Sequence, residues 1–173
     1  MTQTVCDAGP LTHLWQIDQW RAFSVFSAIH IAAPVAAEVR RHVPLEQMEN
    51  LAGHTVIVHE VQQHELQSLC REIPSAQSLQ QADIATVALA KRLKPDFILT
   101  DDLKLRQIIE TQNHTPMGSV GILLLARKAG LLTTQTLDQA IDRLFVHSTL
   151  YLNPQFKSYV RRLIAEMTAS LPE

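Results

Sequence analysis

Pro95-Asp96-Phe97-Ile98-Leu99-Thr100-Asp101-Asp102-Leu103-Lys104-Leu105-Arg106 is the stretch on which the fold turns. Its apolar centre is short, and it is bracketed by a proline and two aspartates. Asp96 to Thr100 therefore reads as a buried strand, and Leu103 to Glu110 as the helix that follows. A buried strand running straight into a helix is half of a βαβ unit.

The same alternation extends in both directions. Val5-Cys6 sits in a first strand, and Pro10 opens a short helix, Leu11 to Ile17, since proline suits a first helical turn. Ile29 to Ala32 is a second strand, and Pro34 starts a helix over Val35 to Val43. Thr55 to His59 is a third strand, with Val56-Ile57-Val58 fully apolar. Gln62 to Glu72 and Ser78 to Leu93 are helical. After Met117 the pattern changes. Gly118-Ser119-Val120-Gly121 begins a helix that continues over Ile122 to Lys128 and stops at Gly130. Thr136 to Phe145 is amphipathic, and Asn153-Pro154 caps a last helix, Gln155 to Ser170. Short strands alternating with longer helices predict an α/β protein with a parallel sheet.

With 173 residues the chain is expected to be one domain. Apolar residues at 46% and charged residues at 18% exclude disorder. A formal net charge of −2 excludes a protein that coats nucleic acid by electrostatics alone. Cys6 and Cys70 have no metal-type spacing and read as structural thiols in a reducing compartment. No charged start precedes an apolar stretch, and no apolar run spans a membrane, so a cytoplasmic location is expected.

The acids carry the chemistry. Asp7 follows the first strand, Glu38 lies on the helix begun by Pro34, Asp83 heads the alanine-rich run Ile84 to Leu93, and Asp101-Asp102 ends the quoted strand. In an open parallel sheet the carboxyl ends of the strands share one edge, where ligands bind. Carboxylates gathered there repel one another unless a cation sits between them, and hard oxygen donors suit Mg²⁺ or Mn²⁺. Such ions polarise phosphodiesters and activate water, which predicts a metal-dependent nuclease.

Each acid has a plainer reading. Asp7 is in place for a helix cap, Asp83 for a first-turn acid, and one of Asp101 and Asp102 for a cap. Glu38, beside Arg40 and Arg41, also fits a solvated face, and Arg106 stands one turn from Asp102 for a pair with it. The eight histidines show no ligand spacing and read as surface or loop residues. No phosphate-binding glycine loop or nucleophile elbow is present.

Taken in order, the motifs resemble those of the PIN-domain nucleases. Val-Cys-Asp-Ala-Gly-Pro-Leu-Thr-His-Leu resembles the family's first strand with its aspartate, Asp7. Ile-Ala-Ala-Pro-Val-Ala-Ala-Glu-Val is similar to the second motif and puts the glutamate at Glu38. Ala-Asp-Ile-Ala-Thr-Val-Ala-Leu-Ala places Asp83 in the third motif, where the most similar prokaryotic branch, related to toxin–antitoxin nucleases, carries Gly-Glu-x-Glu. Phe-Ile-Leu-Thr-Asp-Asp-Leu-Lys-Leu-Arg places Asp102 in the fourth, with Asp101 beside it, and Gly118 to Leu123 resembles the segment after the last core strand.

The resemblance implies a three-layer α/β/α fold, with a core over about residues 3–130 and a C-terminal helical extension over about 134–171. It implies a Mg²⁺- or Mn²⁺-dependent endoribonuclease acting on single-stranded RNA. Asp7, Asp83, Asp101 and Asp102 would be metal residues, and Asp7, Glu38, Asp83 and Asp102 catalytic ones. Ser119 and Arg106, with Lys104 and Arg40, would reach substrate phosphate. A homodimer and a cognate antitoxin are the implied protein partners. The alternative is a non-catalytic PIN-like module that binds protein or RNA through a degraded metal site.

Overall fold

A computed structural model of the chain describes residues 2–45 and 56–170. Five strands form one sheet: β1 (Gln3–Cys6), β2 (Ala28–Ala32), β3 (Val56–His59), β4 (Phe97–Leu99) and β5 (Pro116–Met117). Eight helices are described: α1 (Ala8–Gln16), α2 (Ala33–Val39), α3 (Gln63–Glu72), α4 (Gln81–Leu93), α5 (Leu103–Thr111), α6 (Ser119–Lys128), α7 (Thr134–His147) and α8 (Pro154–Ser170). A 3₁₀ segment, Trp20–Val25, precedes β2 and was not expected from the sequence. Thr55 and residue 171, expected in the third strand and the helical extension, lie outside the described residues.

The strand order is β3-β2-β1-β4-β5, and every pairing is parallel. Successive residues of a strand face opposite sides of the sheet. Thr4, Val5 and Cys6 are all buried, so both faces of the central strand are covered. The result is a three-layer α/β/α arrangement, built as the apolar strand runs require. From β1 the chain winds outward through β2 and β3, then returns to the other side of β1 to lay down β4 and β5. That reversal opens a crevice beyond the carboxyl ends of β1 and β4, where ligands bind in open α/β sheets. The register pairs Cys6 with Leu99, which brings Asp7 level with Thr100.

Two expectations shift. α1 begins at Ala8, two residues before Pro10, so proline occupies the third helical position. Proline is tolerated there because first-turn N–H groups have no intrahelical partner. β5 is only two residues long and begins with a proline, too short for a periodic signal. The final helices join the same core. α7 buries Leu137, Ala140, Ile141 and Leu144, and α8 buries Val160 and Ile164. The Asn153 cap is present, its Oδ1 accepting from the Phe156 N–H at 2.7 Å. No helix among the described residues is long and apolar enough to cross a membrane.

Candidate active site

The crevice at the strand reversal is an open cleft of about 620 Å³. Asp7, Glu38, Asp83, Asp101 and Asp102 all line it, and among the described residues Lys104 is the one lysine or arginine that does. The sheet order thus gathers acids drawn from four segments of the sequence.

Asp7 occupies the N-cap position of α1 but makes no capping bond. A cap side chain accepts from the second or third helical N–H. The third residue here is Pro10, which has none, and the carboxylate is left to the cleft. It is 7% exposed. Its Oδ2 accepts from the Thr100 hydroxyl at 3.2 Å. Burial above all, then the charges of Asp83 and Glu38, pushes its pKa up to about 7, against the Ala8 N–H and the Thr100 hydroxyl. Burial chiefly raises the Asp83 pKa as well, with Asp102 and Glu38 adding to it. The charges acting on Asp7 and Asp83 place four of the five acids within one electrostatic cluster.

Asp83 and Asp102 each do structural work besides. Asp83 Oδ2 accepts from the Gln80 N–H at 3.1 Å, the carboxylate half of a capping box on α4. Asp102 Oδ1 caps α5 through the Leu105 N–H at 2.8 Å. The plain readings of both were therefore right, yet each remains on the cleft wall. Glu38 is exposed on α2 and lines the cleft.

Asp101 departs furthest from expectation. Its Oδ2 accepts from His13 Nδ1 at 2.8 Å and from the Ser119 hydroxyl, and its Oδ1 from the Ser119 N–H at 2.7 Å. Gly118 permits this approach, since a Cβ there would stand 2.8 Å from Asp101 Oδ1. A carboxylate with both oxygens so occupied orients its partners. Ser119 is fully buried, its hydroxyl committed to Asp101, and it does not line the cleft. Its expected contact with phosphate gives way to a positioning one. Arg106 does not pair with Asp102, whose carboxylate is turned to its own helix. The Arg106 guanidinium lies against Gly118, and Arg106 is not among the residues that line the cleft.

His13 was missed in the sequence. It is 12% exposed and lines the cleft. Nothing local marks it, because its partner lies 88 residues away. The surface reading of the histidines fails elsewhere too. His30 on β2 is buried and meets His59 at the end of β3, with Nδ1 and Nε2 2.8 Å apart.

The donor set fits a hard divalent ion. It consists of carboxylate oxygens, those of Asp7 and Asp83 raised chiefly by burial and further by their acidic neighbours, and among the described residues that line the cleft Lys104 is the one lysine beside them. Among the described residues no three histidine, cysteine or acidic groups are already arranged to grip one ion. Mg²⁺ is commonly held by one or two carboxylates, with water and substrate phosphate oxygens completing the shell, so an open wall suits it better than a closed cage.

No curated protein matches the chain. A PIN-domain family does, over residues 3–166. PIN domains are generally nucleases, and those nucleases typically use divalent metals. The match runs through the parallel sheet, the acids at its reversal and the helices to α8, and on that extent the chain belongs to the PIN-domain family.

Proposed function

We propose that the protein is a Mg²⁺- or Mn²⁺-dependent endoribonuclease that hydrolyses phosphodiester bonds of single-stranded RNA. One observation carries the reading. Asp7, nine-tenths buried and raised to about 7 by burial and its acidic neighbours, sits at the strand reversal beside Asp83, Asp102 and Glu38. Keeping such a cluster without an internal cation is costly, and a bound dication removes the cost.

Asp7, Asp83 and Asp102 would hold the ion, which when bound supplies Lewis-acid polarisation of the phosphate and a more acidic water. Thr100 fixes Asp7 by its hydroxyl. Glu38, exposed on the same cleft, would orient and deprotonate the attacking water. Asp101 keeps His13 and Ser119 in position, a role in place of the metal ligation implied by the resemblance. Lys104, which lines the cleft, would meet backbone phosphate.

The test is calorimetric titration with Mn²⁺ alongside cleavage of a labelled single-stranded RNA. Binding that disappears in Asp7→Asn together with cleavage supports the reading. A protein that binds no Mn²⁺ and leaves RNA intact is the non-catalytic module instead, a reading favoured by the single, shorter acid of the third motif. The homodimer and the toxin–antitoxin role rest on the resemblance alone. Sedimentation tests the first, and a small antitoxin reading frame beside the gene tests the second. The free cysteines, Cys6 and Cys70, support a reducing, cytoplasmic setting.

A further inference from the structure

The cleft has lining residues that the acids do not account for. Between α7 and α8 the chain runs through Ser148-Thr149-Leu150-Tyr151-Leu152-Asn153, and Thr149, Leu150 and Tyr151 line the same cleft as the carboxylates. Leu150 and Leu152 are partly buried and pack against the core, whereas Tyr151 between them is 88% exposed. The segment is fastened on its other side as well. The Thr149 N–H and hydroxyl both donate to Gln16 Oε1 of α1, at 2.9 and 3.2 Å. Two apolar anchors and a side-chain clamp therefore hold the backbone while the aromatic ring is turned outward. Leu103, 74% exposed, lines the same cleft next to Asp102, with Lys104 after it.

We propose that Tyr151 is a stacking platform for one unpaired nucleobase of the substrate strand, with Leu103 extending the apolar surface and Lys104 contacting phosphate. The inference rests on the nuclease reading and adds the means by which a single strand is selected. An aromatic face lining a cleft that also holds a carboxylate cluster suited to a dication and a lysine matches two parts of a nucleotide, its base and its phosphate. Stacking on an aromatic requires a base whose own face is free, which a duplex interior does not offer. Asp7 itself is nearly closed to solvent, so a strand must enter the cleft to reach it.

The experiment uses the full chain and a short single-stranded oligoribonucleotide in EDTA, so that binding is read without cleavage. In Tyr151→Trp, indole fluorescence is expected to be quenched on adding the oligonucleotide, beyond any response of wild type, which carries Trp15 and Trp20. Tyr151→Ala should weaken binding roughly 10-fold and Tyr151→Phe should restore it, since loss of one base stack shifts affinity by about that order. The same sequence as a duplex should not quench. In Mn²⁺, the Tyr151→Ala effect should fall on KM more than on kcat. Equal affinity of Tyr151→Ala and wild type, equal quenching by duplex, or a change in sedimentation that marks Tyr151 as a self-association contact overturns the proposal. If Mn²⁺-dependent cleavage persists while Tyr151→Ala changes nothing, the platform fails and the nuclease reading stands. If wild type cleaves nothing yet Tyr151→Trp still responds to the single strand alone, the nuclease reading fails and the base site stands.

Discussion

The Thr100 hydroxyl donates to Asp7 Oδ2 at 3.2 Å across the β1–β4 pair, and the same hydroxyl oxygen accepts from the Asp102 N–H at 3.1 Å. One threonine at the sheet reversal thereby ties the acid ending β1 to the backbone of the acid capping α5. The tie makes the behaviour of Asp7 specific enough to test.

Asp7→Asn should stabilise the metal-free protein above neutrality. The folded-state pKa of about 7 lies above the ordinary 3.8, so the contribution of Asp7 to stability is present in full below about pH 4. It is lost as pH rises through about 7. Three pKa units at ~1.4 kcal/mol each set an upper limit of about 4 kcal/mol. Urea unfolding in EDTA at pH 5 and pH 8 checks this: the gain from the asparagine should be larger at pH 8. Equal gains at both pH values would mean that Asp7 is already ionised at low pH.

Mn²⁺ affinity should rise with pH up to about 7 and level off above it, because ion binding below that pH must displace the proton held by Asp7. Calorimetry in buffers of different ionisation heat measures the proton release directly. A flat affinity between pH 5.5 and 8 would remove Asp7 from the ligand set.

Asp102→Asn should lose metal-dependent cleavage with little loss of stability, since asparagine caps a helix about as well as aspartate. Asp102→Ala should lose cleavage and, in addition, about 1 kcal/mol from the α5 cap. Thermal melts of the two variants separate the cap from the charge. A stable Asp102→Asn with wild-type cleavage would leave Asp102 a cap only.

Asp83→Glu should tighten Mn²⁺ binding. Glutamate is the usual acid at this capping-box position, and its extra methylene extends the carboxylate toward the cleft from a helix fixed by the buried Ala85, Val87 and Ala88. Asp83→Asn is the control. If the glutamate binds Mn²⁺ no better and the asparagine no worse, Asp83 serves the helix alone.

Gly118→Ala should destabilise by about 1–3 kcal/mol, because its methyl would stand 2.8 Å from Asp101 Oδ1 and expel the carboxylate from the Ser119 N–H. Displacing Asp101 also releases His13, visible as a change in its ring signals by NMR. Unaltered His13 signals with a lowered melting temperature would show that the neighbourhood repacks around the methyl and leaves the pair intact.

Much of the fold follows from local pattern. Phe97-Ile98-Leu99, closed by proline and aspartates, is a buried strand wherever it occurs, and the period of the apolar residues in Leu103 to Glu110 is that of a helix. Pairs of such elements require parallel strands and one shared edge, so the acids at strand ends were legible as a group, and Asp7, Glu38, Asp83 and Asp102 do line one cleft. Short elements without period were not legible: β5 is two residues, and the 3₁₀ turn before β2 has no repeating face.

What the sequence by itself determined was the α/β class and the set of acids, because both depend on neighbours a few residues apart. Only the tertiary structure decided how those acids divide the work. The return of the chain to the far side of β1 brought Asp101 against His13 and Ser119. It also set Tyr151, from the loop after α7, on the cleft that the carboxylates line. Each of these is a meeting of side chains tens of residues apart, fixed by strand order and packing, and no local spacing encodes it.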